Sequence, residues 1–421
     1  MFFSDGLTMR VILHCDLNNF YASVECLYNP AIRDKPVAVS GDIEQRHGIV
    51  LAKNYIAKKY GIQTGMALWQ AKQLCRDIVF VPPNYDRYLK YSKMAKEIYC
   101  EYTDQVESFG LDECWLDITG SIKKFGSGED VADKIRETIK FELGVTASIG
   151  VSFNKIFAKL GSDYKKPDAT TVITEDNYKD IAWPLPAQDL LYVGPATKKK
   201  LNKLGILKIG DIARADPDFM RNLLGKNGYI LWLFANGLDP SPVARISSEP
   251  VIKSIGNSTT TPRDLILDDD IRITMYVLCE SVAARLREDH FVCSTVQITI
   301  RDNELFSYTR QGKLSLPSCN AEDIFEKAFY LYKTNHISKK PIRSLGVRAC
   351  DLSEEKDVQL SFLPEIKRMQ AQHNLESVID TIRKRYGHHS IQRAIMLKDK
   401  ELSDLDPKSD HIIHPISFFK N

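Results

Sequence analysis

The chain has 421 residues, enough for several domains and more than one core. Its 57 Lys and Arg nearly balance 55 Asp and Glu, so any surface for a polyanion has to be local. The nine cysteines are scattered without a C-x-x-C pair or a His cluster, which excludes a zinc ribbon or disulfide framework and fits a reducing cytoplasm, and no apolar run is long enough to span a membrane.

The opening MFFSDGLTMR lacks the basic start and apolar core of a signal peptide. RVILHCDL (10–17) is a continuous apolar run ending in an acid, which predicts a strand with Asp16 at its end, exposed at the edge of a core. NNFYASVECLY (18–28) has helical spacing, KPVAVSG (35–41) is a short strand, and NYIAKKYGI and ALWQAKQLC are two helices about a Gly turn, so 20–83 form a small α/β insertion.

A helix follows over 86–104, then VESFGLDECWLDITG (106–120) predicts two strands with a tight turn near Gly110–Asp112. A helix, the strand VTASIGVS and the helix NKIFAKLGSDYKK complete one α+β sheet domain. From 174 to 240 the chain is helical with Gly turns; Gly194, Lys198 and Gly205 mark a helix-hairpin-helix whose backbone N–H groups can hold a phosphate without reading a base.

PSPVARISSEP (240–250) is the clearest linker. Beyond it, KSIGNSTTT, 271–289, STVQITIRD, LFSYTRQGKL, 321–335 and IRSLGVRACDL give the order βαββαβ, a ferredoxin-like split motif and a separate domain. The remaining 353–421 is polar, with one helical stretch at 374–386.

If the strand ending at Asp16 neighbours the Asp112–Glu113 hairpin, three carboxylates meet on one rim. Such acids raise one another's pKa unless a cation neutralises them, and hard oxygen donors suit Mg²⁺, which completes its shell with substrate phosphates. Two ions about 3.5–4 Å apart can activate an attacking oxygen and stabilise a leaving one, so phosphoryl or nucleotidyl transfer is the natural reaction class. A single strand-end Asp is more often a turn or cap residue, but three acids in two such contexts weigh against that. Asp117 lies an odd five residues beyond Asp112, which turns it to the opposite face as a structural acid. Cys15, Cys114 and Trp115 are expected as core.

HCDLNNFYASVE, GIVLAKNYIAKKYGI, SFGLDECWLDI, SIGVSFNKIFAKLGSDYKKP, the Gly hairpin at 192–206, KSIGNSTTTPRDL and IRSLGVRACDL resemble, in order, the successive blocks of the Y-family DNA polymerases. The likeness is nearest to the bacterial lesion-bypass group that spans DNA polymerases IV and V, and it runs from about Arg10 to Leu352. It implies a right-hand α+β polymerase: a ferredoxin-like palm at 9–19 and 84–173, small α/β fingers at 20–83, a helix-hairpin-helix thumb at 174–241, a linker at 242–250, a βαββαβ little finger at 251–352 and a tail at 353–421. It implies that Asp16, Asp112, Glu113 and the Leu17 carbonyl hold two Mg²⁺. Tyr21, with Phe20 beside it, is the gate that rejects a ribose 2′-OH, and Tyr55, Lys58 and Lys166 hold the triphosphate. Gly194, Lys198, Gly205, Lys253 and Ser254 are placed on DNA.

The implied activity is error-prone, template-directed synthesis past lesions by a cytoplasmic monomer, and no segment is long enough for an exonuclease domain. Lys58 stands where the family commonly has Arg, keeping the charge without the bidentate fork. Gly110 replaces the usual Ser, and Val193-Gly194-Pro195 is an irregular Gly hairpin. QLSFL, with Gln359, Leu360, Phe362 and Leu363, resembles the short peptide by which bacterial polymerases dock on the sliding clamp, with its last two residues exchanged; the other reading is an apolar patch that anchors the tail. Two rivals rank lower: a clamp-docked DNA-binding protein of the same family with weak catalysis, and a template-free cyclase, which would leave the thumb and second ferredoxin-like domain without a use.

Overall fold

The computed structural model describes residues 10–41, 48–248, 251–338, 340–354 and 364–407. The chain divides into two compact units, Met1–Ser40 with Val50–Glu249, and Gly41–Ile49 with Pro250–Asn421.

Among the described residues of the first unit the strands are β1 (Ile12–Leu17), β2 (Val37–Ser40), β3 (Val50–Lys53), β4 (Val79–Val81), β5 (Val106–Ser108), β6 (Glu113–Asp117), β7 (Ala147–Ser152) and β8 (Thr170–Ile173). Five form one sheet in the order β5-β6-β1-β7-β8, and a smaller sheet has the order β3-β2-β4. The central β1 runs antiparallel to both neighbours. All six of its residues are buried, which is why ILHCDL reads as a continuous run and not an alternating one. Asp16 shares that burial at 4% exposure, so the expectation of an acid exposed at the core's edge is corrected: strands pair on both sides of it.

Helix Lys155–Tyr164 packs on β7 and β1. Gly150 permits this approach, since a Cβ there would stand 1.9 Å from the Ala158 carbonyl oxygen and 2.5 Å from the Ser162 nitrogen. The glycine therefore brings Lys159 and Ser162 down onto His14 and Asp16 of β1.

The small sheet buries Ala38 and Val50 against Ala57, Leu68 and Ala71 of the helices Tyr55–Lys59 and Leu68–Leu74. The helix expected over 86–104 spans Tyr85–Cys100. In the helical segment, Pro195–Asn202 and Ile209–Arg214 are joined through Gly205, whose φ of 74° suits glycine, and Ile206 N–H donates to the Leu201 carbonyl.

The second unit has β9 (Ser254–Leu265), β10 (Phe291–Asp302), β11 (Ser307–Ser318) and β12 (Ile342–Glu354), antiparallel in the order β11-β10-β12-β9. Helices Asp268–Glu288 and Ala321–Asn335 pack on the sheet, which gives the expected βαββαβ order. The following segment differs from expectation: its helix spans Pro364–Tyr386, and Met396 and Leu402 join the domain core. Several of its charges are paired with the domain beneath. Arg287 reaches Glu376 (2.5 Å) and Asp380 (2.7 Å), while Arg383 and Arg393 both reach Glu280 (2.8 Å each). A helix held by ion pairs shows little apolar periodicity, so its first ten residues carried no helical signal.

Asp270 caps helix Asp268–Glu288 by accepting from Ile266 and Leu267 N–H (3.1 Å each), and Arg263 grips both of its oxygens. Arg263 holds the Asp270 carboxyl down to about 2. A folded-state pKa below the unfolded value of about 3.9 stabilises above that value and is lost as pH falls towards 2. Asp270→Asn should therefore cost about 1–3 kcal/mol at neutral pH. Urea melts of the two proteins should converge between pH 4 and pH 2; a gap unchanged with pH would contradict this.

Candidate active site

The strand register assembles the acids. Asp16 on β1 faces Glu113 on β6, and Leu17 N–H donates to the Asp112 carbonyl at 2.9 Å, which ties the β5–β6 hairpin tip to the end of β1. The loop between β5 and β6 turns at Gly110, whose φ of 89° favours glycine, with its Cβ position 3.6 Å from Asp112 Oδ1. Backbone geometry thus accounts for glycine where the family usually has Ser. Leu111, Trp115 and Ile118 are buried, whereas Phe109 is 38% exposed and lies against Trp115 with ring centroids 4.9 Å apart.

Two lysines thread between the carboxylates. Lys166 Nζ is 2.6 Å from Asp16 Oδ2 and 2.9 Å from Asp163. Lys159 Nζ is 3.4 Å from Asp16, 3.1 Å from Glu113 and 3.1 Å from Asp163. Among the described residues the acids do not close into a ready-made ligand group, because these ammonium groups stand between them.

Burial raises the Asp16 pKa, against the pull of Lys166 and Lys159. Burial, with Glu113 and Asp16 nearby, pushes Asp112 up to about 6. Burial opposes the charge on Lys166, but Asp16 and Asp163 outweigh it and raise its pKa. Buried carboxylates whose charged forms are disfavoured, first by burial and then by one another, are hard oxygens chemically suited to a divalent cation.

His14, Lys159, Ser162 and Asp163 were not singled out from the sequence. Two signals were there: His14 and Asp16 lie two apart on a strand, hence on one face, and Lys159, Asp163 and Lys166 follow helical spacing. His14 is fully buried, with Nδ1 2.8 Å from Ser162 Oγ and Nε2 3.3 Å from Glu113 Oε2. Burial, with Lys159 beside it, depresses its pKa well below the usual value, so the imidazole is neutral.

Tyr21 stacks on Tyr88 at 4.1 Å with an interplanar angle of 8°, and Tyr85 meets both rings edge-on. Tyr88 donates to Glu25 Oε1 at 2.8 Å, and Arg87 holds the other oxygen at 2.9 Å. Burial and the nearby Asp112 raise the Tyr21 pKa, which places its hydroxyl within electrostatic reach of the acids. Phe20 is buried at the start of helix Phe20–Tyr28.

Asn54 caps helix Tyr55–Lys59 by accepting from Ala57 N–H at 2.9 Å. Burial raises the Tyr55 pKa, with Lys166 pulling it down and Asp16 pushing it up. Lys58 is exposed, with Nζ 5.5 Å from the Tyr55 ring centre, and burial with Lys58 lowers the pKa of the neighbouring Lys53. Gly194, Lys198 and Gly205 are exposed at the Gly hairpin, and Lys253 and Ser254 lie at the head of β9 in the second unit. Asp117 accepts from Thr119 N–H at 3.0 Å, a backbone bond of the kind expected for a structural acid. Gln359, Leu360, Phe362 and Leu363 lie outside the described residues.

The profile of the impB/mucB/samB family matches residues 15–163, and that of its C-terminal domain matches 252–362. The fold agrees with a solved Y-family DNA polymerase chimera, Dbh-Dpo4(243-245)-Dbh, at a TM-score of 0.71 and 23% identity over 81% of this chain and 98% of that one. The chain belongs to the Y-family of DNA polymerases, the translesion enzymes that are DNA-directed DNA polymerases.

Within the family it stands with DNA polymerase IV. It is 54% identical to DNA polymerase IV of Acetivibrio thermocellus over 94% of this chain and 99% of the relative. It is 37% identical to DNA polymerase IV 1 of Bacillus subtilis over 93% of this chain and 94% of the relative. Such enzymes act on a DNA template and deoxynucleoside triphosphates and generally use divalent metal ions. The relatives are bacterial, and among the described residues no helix is long and apolar enough to cross a membrane.

Proposed function

We propose that Asp16, Asp112, Glu113 and the Leu17 carbonyl would hold two Mg²⁺ for nucleotidyl transfer to a primer 3′-end. The observation that supports this best is the register that sets Asp16 opposite Glu113 and hands the Asp112 peptide to Leu17. When bound, the ions supply charge that favours the attacking oxygen and the leaving pyrophosphate.

The chain's own residues do the rest by positioning. Lys166, whose raised pKa keeps it cationic, holds the triphosphate together with Tyr55 and Lys58. Tyr21, stacked on Tyr88 with Phe20 behind it, lies under the sugar. The palm is 9–19 with 84–173, the fingers 20–83, the thumb 174–241, the linker 242–250 and the little finger 251–352. Gly194, Lys198 and Gly205 hold one stretch of DNA backbone, and Lys253 and Ser254 another. Gln359, Leu360, Phe362 and Leu363 dock on the sliding clamp, and the enzyme works in the bacterial cytoplasm as a monomer.

Primer extension on intact and abasic templates, with and without sliding clamp, tests the assignment. Expected are template-dependent incorporation abolished by EDTA, stimulation by clamp that is lost with Leu360→Ala and Phe362→Ala, and elution as one chain in size exclusion. Incorporation without template would sink the polymerase reading, and stimulation retained by the double variant would sink the clamp peptide.

A further inference from the structure

Beneath the carboxylates lies a buried polar contact with no hydrogen bond. His14 Nε2 and Glu113 Oε2 are both shielded from solvent, 3.3 Å apart, and neither makes an aligned hydrogen bond. Lys159 Nζ stands 3.1 Å from the same Glu113 oxygen, but it is shared with Asp16 and Asp163, so it cannot fix the direction of one carboxylate.

The imidazole ring, in contrast, is held from every side. Its cross-strand partners are Trp115, whose ring meets it edge-on at 5.1 Å, and Gly150, over which helix Lys155–Tyr164 descends to place Ser162 Oγ 2.8 Å from Nδ1.

Proton counting decides the tautomer. A neutral imidazole has one N–H and the Ser162 hydroxyl one proton, and Ser162 Oγ also lies 2.8 Å from the Lys159 carbonyl. If the hydroxyl donates to that carbonyl, Nδ1 carries the ring proton and Nε2 turns a lone pair onto a carboxylate oxygen, leaving two buried acceptors face to face. If the hydroxyl donates to Nδ1, the ring proton sits on Nε2, 3.3 Å from Glu113 Oε2. The Lys159 carbonyl loses little, because it lies within a helix and accepts from the N–H four residues on. The second arrangement sets a donor and not a lone pair beside the carboxylate oxygen, so that a small turn of the Glu113 carboxylate would pair both atoms.

We infer that His14 is a positioning residue for Glu113: Ser162 holds it as the Nε2–H tautomer, and its N–H sets the direction in which the Glu113 carboxylate is presented to a divalent ion. This rests on the reading of Glu113 as a metal ligand. Outer-shell donors of this kind orient a ligand and tune its affinity without touching the metal.

Two measurements test it. Long-range ¹H–¹⁵N correlation spectra of the full-length protein labelled with ¹⁵N-histidine, with His14→Gln to assign the signal, should show the Nε2–H tautomer at His14; an Nδ1–H tautomer overturns the proposal without reference to activity. Mn²⁺ binding to the complex with primer-template and nucleotide, followed by electron paramagnetic resonance, should weaken about tenfold in His14→Leu and recover to within about threefold in His14→Gln, whose amide can still donate. In a Glu113→Gln background, His14→Leu should add nothing; an additional loss there, or wild-type Mn²⁺ affinity in folded His14→Leu, overturns it. If Glu113→Gln alone leaves Mn²⁺ affinity unchanged while the tautomer is as expected, the metal-ligand reading of Glu113 is what has failed, and the metal role of His14 falls with it.

Discussion

Asp112→Ala is expected to lower primer extension by about a thousandfold or more while primer-template binding, read by fluorescence anisotropy, stays near that of the parent. The hairpin should survive, because its tie to β1 is made by the Asp112 carbonyl and not by the side chain. Burial with Glu113 and Asp16 nearby pushes the carboxyl up to about 6, so in the apoprotein its charge is a cost. Removing it relieves repulsion, and the variant should melt no lower than the parent. Loss of activity together with a markedly lower melting temperature would instead mean that Asp112 is structural, and retained extension would remove it from the reaction.

The parts of the site that could be read from the chain are those set by local backbone pattern, and the rest depend on pairing between distant segments. The turn before Glu113 was legible from Gly110 and the flanking strand residues, and Asp117 takes the backbone bond expected of a structural acid. Asp16 at the end of an apolar run was equally legible, but its burial was not, because that depends on β6 and β7 pairing on either side. His14 was hidden for the same reason. Within ILHCDL it reads as one more core residue, and only helix Lys155–Tyr164, seated through Gly150, gives it a hydroxyl partner. The segment 364–407 was missed for a different cause: it is fastened by arginines to acids distant in sequence, and ion pairs across elements leave no periodicity along one of them.

The lysines show how the apoprotein tolerates its acids. Lys159 and Lys166 neutralise part of the charge that Asp16 and Glu113 concentrate, and Asp163 holds both ammonium groups in place. Asp112 has no such partner among these pairs, and its carboxyl is the one that reaches about 6. The cost of charge, mainly burial with Glu113 and Asp16 adding to it, therefore falls on Asp112 at the hairpin tip, where a divalent ion would offset it.

Tyr21→Ala is expected to change selection of sugar rather than rate. If Tyr21 lies under the sugar as proposed, removing the ring opens the space beneath C2′ and a ribonucleotide no longer meets a wall. Discrimination against ribonucleotides, measured as the ratio of kcat/KM for a deoxynucleotide and its ribo counterpart, should fall by on the order of 100-fold. Deoxynucleotide incorporation should fall far less, since Asp16, Asp112 and Lys166 are untouched. Tyr21→Phe should keep the discrimination, because the wall is the ring and not the hydroxyl. The ring's position is set by its parallel stack on Tyr88, which Glu25 anchors through the Tyr88 hydroxyl. Tyr88→Leu leaves Tyr21 present but free to tilt and should give an intermediate loss, while Tyr88→Phe keeps the stack and should lose less. Unchanged sugar preference in Tyr21→Ala would remove the gate from this ring, and a Tyr88→Leu enzyme as selective as the parent would show that the stack does not hold it.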